Sequence, residues 1–451
     1  MTEGTFSRTA EVCVVGSGIS GLTAARRLTQ AGIEDVVVVE ARDRVGGRTV
    51  RSTTPGGRVV QSGGIHLGHD MKRLMALVEE LGVPIVEGAG GHEGAVVSVM
   101  DGKRSVESLP FEDDPAAAAA LDEAFAAMTA LVESMPADDP WNAPNAHELD
   151  SQTAASWLEA NVPDERVRAI CAETLLVAGA SAEELSLLYA VWMVQTIGGF
   201  MTLLSGLTHY VRSADMIEVM AEPLGNRILL DAPVRRVEHG DGGVTVHTDR
   251  GTVRAKAVVM AIAPQLCASI AWEPALPVAR AVLQNKFAPA YGSKLWAFYE
   301  KPFWRDDDLT GMGQGFKGIM TLDETRPDGP EGILTASVGE AAADIAELGS
   351  LIDDPEVFKA RFLEAVAEYF PGAPEPLDLH VYRHYGDPWS PGVVPGLPPG
   401  VLSELGPALT ESVGPIVWAG AESSTSYHGW LEGAVTAAER AVDVVRARLG
   451  R

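Results

Sequence analysis

The stretch Glu11-Val12-Cys13-Val14-Val15-Gly16-Ser17-Gly18-Ile19-Ser20-Gly21 decides the fold. Its apolar first half predicts a buried strand, its glycines predict a tight turn, and the alanine-rich sequence that follows, to about Ala31, predicts a helix. A second apolar segment runs from Asp35 to Val39 and ends on Glu40. A strand, a glycine turn, a helix and a second strand form a βαβ unit, so we expect an α/β protein with a dinucleotide site.

Each glycine of the turn has its own physical task. Gly16 permits the tight turn, Gly18 lets a pyrophosphate approach the backbone, and Gly21 lets the helix pack close to the strand. The phosphates then lie at a helix N-terminus, where free N–H groups favour negative charge. Glu40 is placed to accept hydrogen bonds from ribose hydroxyls, and its charge disfavours the 2′-phosphate of NADP. A glycine turn without a ligand is the alternative interpretation.

Bulk composition describes a soluble globular protein with more than one core. The chain has 451 residues, of which 46% are hydrophobic, and a mean hydropathy of +0.07, which predicts two intertwined domains. Its net charge of −27 argues against nucleic acid and anionic membranes as partners, since both require basic patches. An acidic surface keeps a protein soluble, and it can also steer cationic substrates.

The cysteines and the N-terminal segment bear on location. Cys13, Cys171 and Cys267 are isolated in apolar sequence without metal-binding spacing, so we expect core residues in a reducing compartment and no metal site. The N-terminal segment is polar and has no signal sequence, and no apolar window has the length of a membrane span. These features predict a cytoplasmic protein.

The remaining chain has a helical middle and strand-rich flanks. Helical spacing is found at 71–81, 115–133 and 187–204, with Asp150 or Ser151 as a helix N-cap. Strand patterns are found at 227–230, 234–237, 244–255 (a hairpin), 257–262, 294–299 and 416–419. We expect a Rossmann-like cofactor domain assembled from residues 1–75, 218–282 and 393–451. The substrate domain, a mixed sheet backed by helices, is expected from residues 76–217 and 283–392.

Two distant motifs together resemble the signatures of one family. The first is Glu40-Ala41-Arg42-Asp43-Arg44-Val45-Gly46-Gly47-Arg48-Thr49. The second is Trp418-Ala419-Gly420-Ala421-Glu422, which leads into Gly429-Trp430-Leu431-Glu432-Gly433-Ala434. In this order they resemble the flavin-containing amine oxidases of the monoamine oxidase and polyamine oxidase type, over nearly the whole chain. The resemblance implies bound FAD and oxidation of an amine with O2 as the acceptor.

The resemblance also implies which residues hold FAD. The ADP half is expected at the glycine turn, the phosphates near two arginines, and the isoalloxazine beside Gly63-Gly64. Val234 is expected on the adenine side, Glu422 at the ribityl or phosphate region, and Leu431 at the pyrimidine end. The complete set is Gly16, Gly18, Ser20, Gly21, Glu40, Ala41, Arg42, Gly47, Arg48, Gly63, Gly64, Val234, Trp389, Glu422, Trp430 and Leu431. For Arg42 and Arg48, simple surface positions are the alternative.

Lys294 is the sharpest catalytic candidate. Strand alternation in Ser293-Lys294-Leu295-Trp296-Ala297-Phe298 puts Lys294 on the face of Trp296 and Phe298. A lysine on an apolar face must find a partner or a water, although a solvated edge lysine fits the pattern equally well. The resemblance aligns Lys294 with the family lysine that holds a water against flavin N5. It implies that the positive charge of Lys294 assists reoxidation by O2.

Trp430 and His66 complete the catalytic candidates. The resemblance makes Trp430 one wall of the aromatic cage that flanks the amine, with a core tryptophan as the alternative. His66 falls near the flavin, where it can tune substrate protonation because histidine titrates near neutrality. A lone histidine is more often structural.

Three departures from the family pattern qualify these expectations. Residues 390–394 contain no cysteine where covalent members tether the flavin, so we expect non-covalent FAD. The second cage position falls near Val394, so the cage is half aliphatic, which weakens the case for a simple arylalkylamine or polyamine substrate. Arg212-Ser213-Ala214-Asp215-Met216 is similar to the hydroxynicotine oxidase branch.

The predicted function is therefore FAD-dependent amine oxidation. Hydride passes from the C–N carbon of a neutral amine to flavin N5, O2 is reduced to H2O2, and the imine is hydrolysed to a carbonyl product. An L-amino-acid oxidase would need an arginine clamp that the sequence does not assign. A carbon–carbon desaturase would lack the N5 lysine, and a non-catalytic flavoprotein would not need Lys294 and Trp430 together. A homodimer is compatible with the sequence, which does not determine the oligomeric state.

Overall fold

The computed structural model describes residues 5–68, 70–87, 94–100, 102–107, 111–136, 138–175, 179–199, 209–288, 292–315, 318–326, 329–339, 349, 351–384, 387–390, 392–394 and 396–451. Within these ranges the chain forms two large sheets, two small ones and the helices packed around them. The mixed content confirms the predicted α/β class.

The strands follow each other in chain order. They are β1 (Phe6–Val15), β2 (Val36–Val39), β3 (Arg51–Thr53), β4 (Val59–Gln61), β5 (His66–Leu67), β6 (Ile85–Glu87), β7 (Ala95–Met100), β8 (Lys103–Glu107), β9 (His209–Val211), β10 (Ile228–Leu229), β11 (Val234–Gly240), β12 (Gly243–Thr248), β13 (Gly251–Met260), β14 (Ala271–Glu273), β15 (Gly292–Tyr299), β16 (Leu309–Gln314), β17 (Met320–Asp323), β18 (Gly332–Gly339), β19 (Asp378–Arg383) and β20 (Ile416–Trp418).

The α-helices of the described residues are mostly short. They are α1 (Ile19–Gln30), α2 (Lys72–Leu81), α3 (Pro115–Glu133), α4 (Ala146–Asp150), α5 (Ala154–Asn161), α6 (Glu165–Leu175), α7 (Leu187–Thr196), α8 (Ser213–Ala221), α9 (Pro264–Cys267), α10 (Val278–Gln284), α11 (Pro355–Tyr369), α12 (Leu402–Leu405) and α13 (Leu431–Leu449).

The first large sheet contains the βαβ unit that the sequence predicts. β1 pairs in parallel with β2 on one side and with β13 on the other, and β10 and β20 extend the parallel part. β11 and β12 form an antiparallel meander against the first half of β13, and β14 closes that edge. The carboxyl ends of the parallel strands therefore meet at one edge, where α1 begins.

Valines explain why the centre of this sheet forms. β2 consists of four consecutive valines, all of them buried, which suits a strand that is covered on both faces. β1 is longer than predicted and begins at Phe6, because Phe6 to Ala10 pair with Gly251 to Ala255. The strands of this sheet come from residues 6–39, 228–273 and 416–418, while the exact domain limits stay a prediction.

The second large sheet is mixed, with the order β19-β15-β18-β17-β16-β7-β8. β15 lies inside it, paired in antiparallel fashion with both β18 and β19. One face of β15, with Leu295 and Ala297, packs in a core with Phe358 and Phe362 of α11. Trp296 and Phe298 lie on the opposite face, as the alternation predicts.

Several local predictions need correction. The segments 252–255 and 257–262 are not separate strands, because β13 runs through both of them to Met260. Asp150 is not an N-cap: its carboxylate accepts hydrogen bonds from Ser186 and Ser403, and Thr153 caps α5 by accepting from the Ser156 amide at 3.1 Å. The strand predicted at 227–230 is shorter in the structure, where β10 contains only Ile228 and Leu229. The helix predicted over 187–204 ends at Thr196, and 200–208 lie outside the described residues.

By length and composition alone, α3 is apolar enough to cross a membrane, so the expectation that no window has this property was wrong. Its apolar character comes largely from alanine. The face formed by Leu121, Ala124 and Met128 is buried, and the helix contacts α6 and α7. This packing is what a helix at the edge of a folded core shows.

α13 joins the two ends of the chain by packing against α1 and α2. α2 has Met71 at its N-cap position, with no side-chain cap of its own. Glu432 of α13 replaces the missing cap, because its carboxylate accepts from the amides of Leu74 at 2.6 Å and Arg73 at 3.1 Å. A tertiary contact thus satisfies N–H groups that a helix leaves free.

We predict that Glu432→Ala lowers the free energy of unfolding by about 1–2 kcal/mol, the usual cost of losing an N-terminal cap. Glu432→Gln, which keeps an acceptor oxygen, is the matched control and loses less. Urea unfolding followed by circular dichroism measures both. Equal stability of the alanine variant and the wild type would contradict the capping role.

Candidate active site

A deep cleft opens at the carboxyl edge of the first sheet. It contains about 1720 Å³ of space free of protein atoms, part of it open to solvent. Its walls come from the turn after β1, the end of β2 and residues 46–49 and 64–66. They are completed by the segment after β13 and by residues 421–422, 429–431 and 434. Ligands of open α/β sheets bind at such an edge.

The glycine turn has the geometry of a phosphate site. Gly16 has a φ of +98°, which L side chains rarely adopt. A Cβ on Gly21 would lie 1.9 Å from the Gly16 carbonyl oxygen, so only glycine lets α1 start so close to the turn. Gly18 differs, because a Cβ there would meet nothing nearer than 3.7 Å. Gly18 is also the N-cap of α1 and offers no side chain to its free N–H groups, which are left for a ligand.

Glu40 lies at the end of β2, almost fully buried, and lines the cleft. Its carboxylate accepts hydrogen bonds from the Ser17 amide at 2.8 Å, from Ser17 Oγ at 2.7 Å and from the Arg42 amide at 3.0 Å. These donors fix the carboxylate at the strand end, where a ribose is expected. Ser17 has a role here that the sequence analysis did not assign.

The two predicted phosphate-side arginines both line the cleft and both lie beside carboxylates. Arg42 Nε donates to Asp387 at 2.8 Å, and its Nη2 is buried without a hydrogen-bond partner among the described residues. Arg48 Nη1 donates to the Val393 carbonyl at 2.7 Å. It also lies 2.6 Å from Glu422 Oε1, although without hydrogen-bond geometry. Contacts of this kind hold the guanidinium groups in place.

Most of the predicted cofactor residues line this one cleft. Gly21 and Gly63 are the two exceptions and lie behind the wall. Gly63 passes close to the backbone of Arg48, because a Cβ on Gly63 would lie 2.1 Å from the Arg48 carbonyl oxygen. Trp389 lines the cleft and stacks with Arg235, whose Cζ is 5.5 Å from the ring centroid. The predicted cofactor residues that line the cleft are Gly16, Gly18, Ser20, Glu40, Ala41, Arg42, Gly47, Arg48, Gly64, Val234, Trp389, Glu422, Trp430 and Leu431.

Unpartnered polar atoms in the cleft walls fit FAD. Oε2 of Glu422, Nε1 of Trp430 and Nδ1 of His66 are buried without a hydrogen-bond partner in the described part of the chain, and Oε1 of Glu422 has only its ion contact with Arg48. Buried polar atoms rarely stay unsatisfied, so a polar ligand is expected beside them. Ribityl hydroxyls and the ring nitrogens and oxygens of an isoalloxazine are such partners, and the phosphates fit the turn at Gly18.

Histidines near the cleft are neutral. Burial, together with the charge of Lys294, lowers the pKa of His66 to about 4. Burial and the same lysine lower the pKa of His384 to about 4 as well. The expectation that His66 titrates near neutrality was therefore wrong, because it assumed a solvated ring. His66 instead packs beside Tyr210, with ring centroids 5.3 Å apart.

Lys294 lies behind the cleft wall and is not a solvated edge residue. Its side chain is 12% exposed and forms an ion pair with Glu324, which is 8% exposed. The ammonium also lies 5.0 Å from the ring centroid of Trp296. Trp296 Nε1 in turn donates to the other oxygen of Glu324 at 3.2 Å. The partner that a lysine on this face requires is thus a carboxylate.

Glu324 is the main residue that the sequence analysis missed. It follows the alternating strand β17 directly, in Asp323-Glu324-Thr325. The requirement that Lys294 find a partner was visible in the sequence, but strand register was needed to choose among 62 acidic residues.

Trp430 and Val394 both line the cleft, as the half-aliphatic cage requires.

This geometry fits a dinucleotide-binding protein, with a buried ion pair behind the wall of the cleft. Comparison with known proteins makes the class more specific: residues 19–446 match the model of the flavin containing amine oxidoreductases. Putrescine oxidase from Kocuria rosea is 32% identical over 453 residues, which cover 94% of this chain and 92% of the relative.

Solved structures agree with the sequence match. Wild-type putrescine oxidase bound to putrescine has a TM-score of 0.89 and 30% identity, covering 99% of this chain and all of that one. Cyclohexylamine oxidase from Brevibacterium oxydans has a TM-score of 0.88 and 29% identity, with 98% and 100% coverage. The chain therefore belongs to the flavin-containing amine oxidase family, and it is an FAD-dependent oxidoreductase that acts on amines.

We predict that Gly18→Ala weakens FAD binding without harming the fold. The protein has room for the methyl group, so the apoprotein should melt within about 2 °C of wild type. That methyl group stands where the pyrophosphate approaches, so the dissociation constant of FAD should rise about tenfold or more. Gly21→Ala is the contrasting variant, because its methyl group collides with Gly16 and should prevent folding. Unchanged FAD affinity in Gly18→Ala would contradict the assignment.

Proposed function

We propose that the cleft holds FAD non-covalently and that a neutral amine is oxidised between Trp430 and Val394, with Lys294 assisting the reaction with O2. The observation that carries this proposal is the convergence on one cleft of the glycine turn, the unpartnered polar atoms and the Trp430 wall. The buried Lys294 adds a fixed positive charge near the same wall.

Bound FAD would supply the hydride acceptor for the C–N carbon and the redox group that reacts with O2. The protein residues bind and orient the amine: Trp430 offers an aromatic face, and Val394 offers an aliphatic one. Neither His66 nor His384 can supply positive charge near pH 7, because their pKa values are about 4. The expected products are H2O2 and, after hydrolysis of the imine, a carbonyl compound.

The positive charge of Lys294 has a defined task in this proposal. Reduction of O2 develops negative charge, which a preorganised cation stabilises more strongly in a buried site than in water. Lys294 is buried and held by Glu324, so its ammonium needs no reorganisation during the reaction. Burial is the main cause of the low pKa of His66 and His384, and the charge of Lys294 adds to it at both residues, while Glu324 opposes it at His66.

An anaerobic titration with amines tests the proposal. The panel begins with putrescine and cyclohexylamine, the substrates in the names of two relatives, and adds cyclic secondary and tertiary amines. Bleaching of the flavin by one class, followed by recovery and H2O2 on admission of air, is the expected result. A yellow protein that no amine bleaches would contradict the proposal.

The pH dependence of kcat/KM should follow the substrate and not the cleft histidines. Below the pKa of the substrate amine, the neutral fraction rises about tenfold per pH unit, so kcat/KM should rise with it. His66 and His384 add no step between pH 6 and 9, because they have lost their protons below that range. A flat profile across the pKa of the substrate amine would exclude a neutral reacting amine.

Acid precipitation should release FAD into the supernatant. The cysteines Cys13, Cys171 and Cys267 are fully buried, and none of them lines the cleft. Burial raises the pKa of the Cys13 and Cys267 thiols to about 12, so neither is a thiolate at neutral pH. The absorbance of the pellet and the supernatant measures the outcome; yellow colour that stays with the pellet would show a covalent link.

We further propose that the protein works in the cytoplasm without nucleic-acid or membrane partners. The net charge of −27 and the three isolated cysteines support this proposal. A homodimer is compatible with it, and sedimentation measures the oligomeric state.

A further inference from the structure

The Lys294–Glu324 pair is built more tightly than an ordinary ion pair. Lys294 contacts one oxygen of Glu324, which also accepts from Thr335 Oγ1 at 3.3 Å. The other oxygen accepts from Trp296 Nε1 at 3.2 Å. Lys294, Trp296 and Thr335 stand on neighbouring positions of the paired strands β15 and β18. The carboxylate is therefore fixed by the same sheet that carries the lysine.

The position of the pair relates it to two cavities. Trp296 and Glu324 line a second cavity, away from the glycine turn, together with Tyr210 and Ile333. Ile65 lines both this second cavity and the cofactor cleft. Glu324 thus lines the second cavity, and Ile65 lies between that cavity and the cofactor cleft.

Two histidines and two tyrosines near Lys294 are uncharged near neutral pH. His66 of β5 and His384, which follows β19, have pKa values of about 4. Burial and Glu324 raise the pKa of Tyr210 on β9. Burial also raises the pKa of Tyr382 on β19, which pairs with Lys294 across the strands. Burial alone would raise the pKa of Glu324, but Lys294 brings it below its ordinary value, so the carboxylate is ionised.

We propose that Glu324 is a positioning residue that holds the ammonium group of Lys294 in place beside the cofactor cleft. This inference rests on the proposed role of Lys294 in the reaction with O2 and names the residue on which that role depends. A buried ammonium without a counter-charge has a depressed pKa and loses its proton as the pH rises. The carboxylate of Glu324 supplies this counter-charge, while Trp296 and Thr335 hold the carboxylate in place.

The melting temperature of the holoenzyme tests the ion pair without measuring activity. Glu324→Gln leaves a buried cation unpaired, and Lys294→Met leaves a buried anion unpaired, so each single variant should melt below wild type. The double variant contains neither charge and should melt above both single variants. A double variant that melts below both would overturn the ion pair as the organising contact.

The two half-reactions, measured separately by stopped flow, test the positioning role. Reduction of Glu324→Gln by an amine should stay within about twofold of wild type. Its rate constant for reaction of the reduced enzyme with O2 should fall about tenfold or more at pH 9 and recover toward pH 6. Lys294→Met should be slow at every pH. Wild type should change little over this range.

Asp323→Asn is the matched control, since Asp323 is the neighbouring buried carboxylate. It pairs with Arg305 at 2.7 Å and accepts from Trp304 Nε1 at 2.9 Å, and these contacts are separate from those of Lys294. The control should lower the melting temperature but leave the O2 rate constant unchanged at every pH. If it slows the reaction as much as Glu324→Gln, the effect is one of general stability and the proposal is wrong.

The outcomes separate this inference from the function on which it rests. A slow Lys294→Met beside a Glu324→Gln that reacts like wild type at every pH overturns the inference alone. A Lys294→Met that reacts as fast as wild type overturns the proposed role of Lys294, and with it the need to position that residue. Failure of every amine to reduce the wild-type flavin contradicts the proposed function itself.

Discussion

The close contact between the backbones of Gly16 and Gly21 is the constraint on which the site depends. Because neither residue carries a side chain, α1 can begin directly behind the turn and lie against β1 and β13. The free N–H groups at the start of α1 then point to the cleft, and the other face of α1 supports α13. If a side chain separated Gly16 from Gly21, α1 would lie farther from the sheet, and α13, which packs on α1, would be displaced with it.

The cleft is closed by contacts between segments that are remote in the chain. Ser20 donates to the Ala419 carbonyl oxygen, Arg48 lies beside Glu422, and β20 pairs with β13. The first two contacts join motifs near residues 20 and 48 to the segment 419–422, and the third joins β20, which directly precedes that segment, to the middle of the chain. The cofactor site is thus a property of the assembled sheet and not of either motif alone.

Features that depend on local sequence could be predicted. The valines of β2, the glycines of the turn and the alternation around Lys294 each act within a few residues, so periodicity and backbone freedom were sufficient. Long-range electrostatics could not be predicted in the same way. The pairing of Lys294 with Glu324 requires the register of β15, β18 and β17, and the neutral state of His66 follows from burial that no single segment determines.

The same distinction explains the local errors. Aspartate is a residue type that often caps helices, but the carboxylate of Asp150 accepts hydrogen bonds from Ser186 and Ser403, which are remote in the chain. β13 was divided at Lys256 because that polar residue interrupts an apolar run, whereas in the sheet its ammonium reaches Glu11 on the neighbouring strand at 2.9 Å.

The segment order of the cleft also governs when the protein can take up its cofactor during synthesis. The glycine turn leaves the ribosome early, but the walls formed by Glu422, Trp430 and Leu431 are made more than 400 residues after it. β13 pairs with β1 in the centre of the sheet, yet it is made only after the more than 200 residues that separate the two strands. A nascent chain therefore lacks a complete cofactor cleft until the segment from Glu422 to Leu431 has been made.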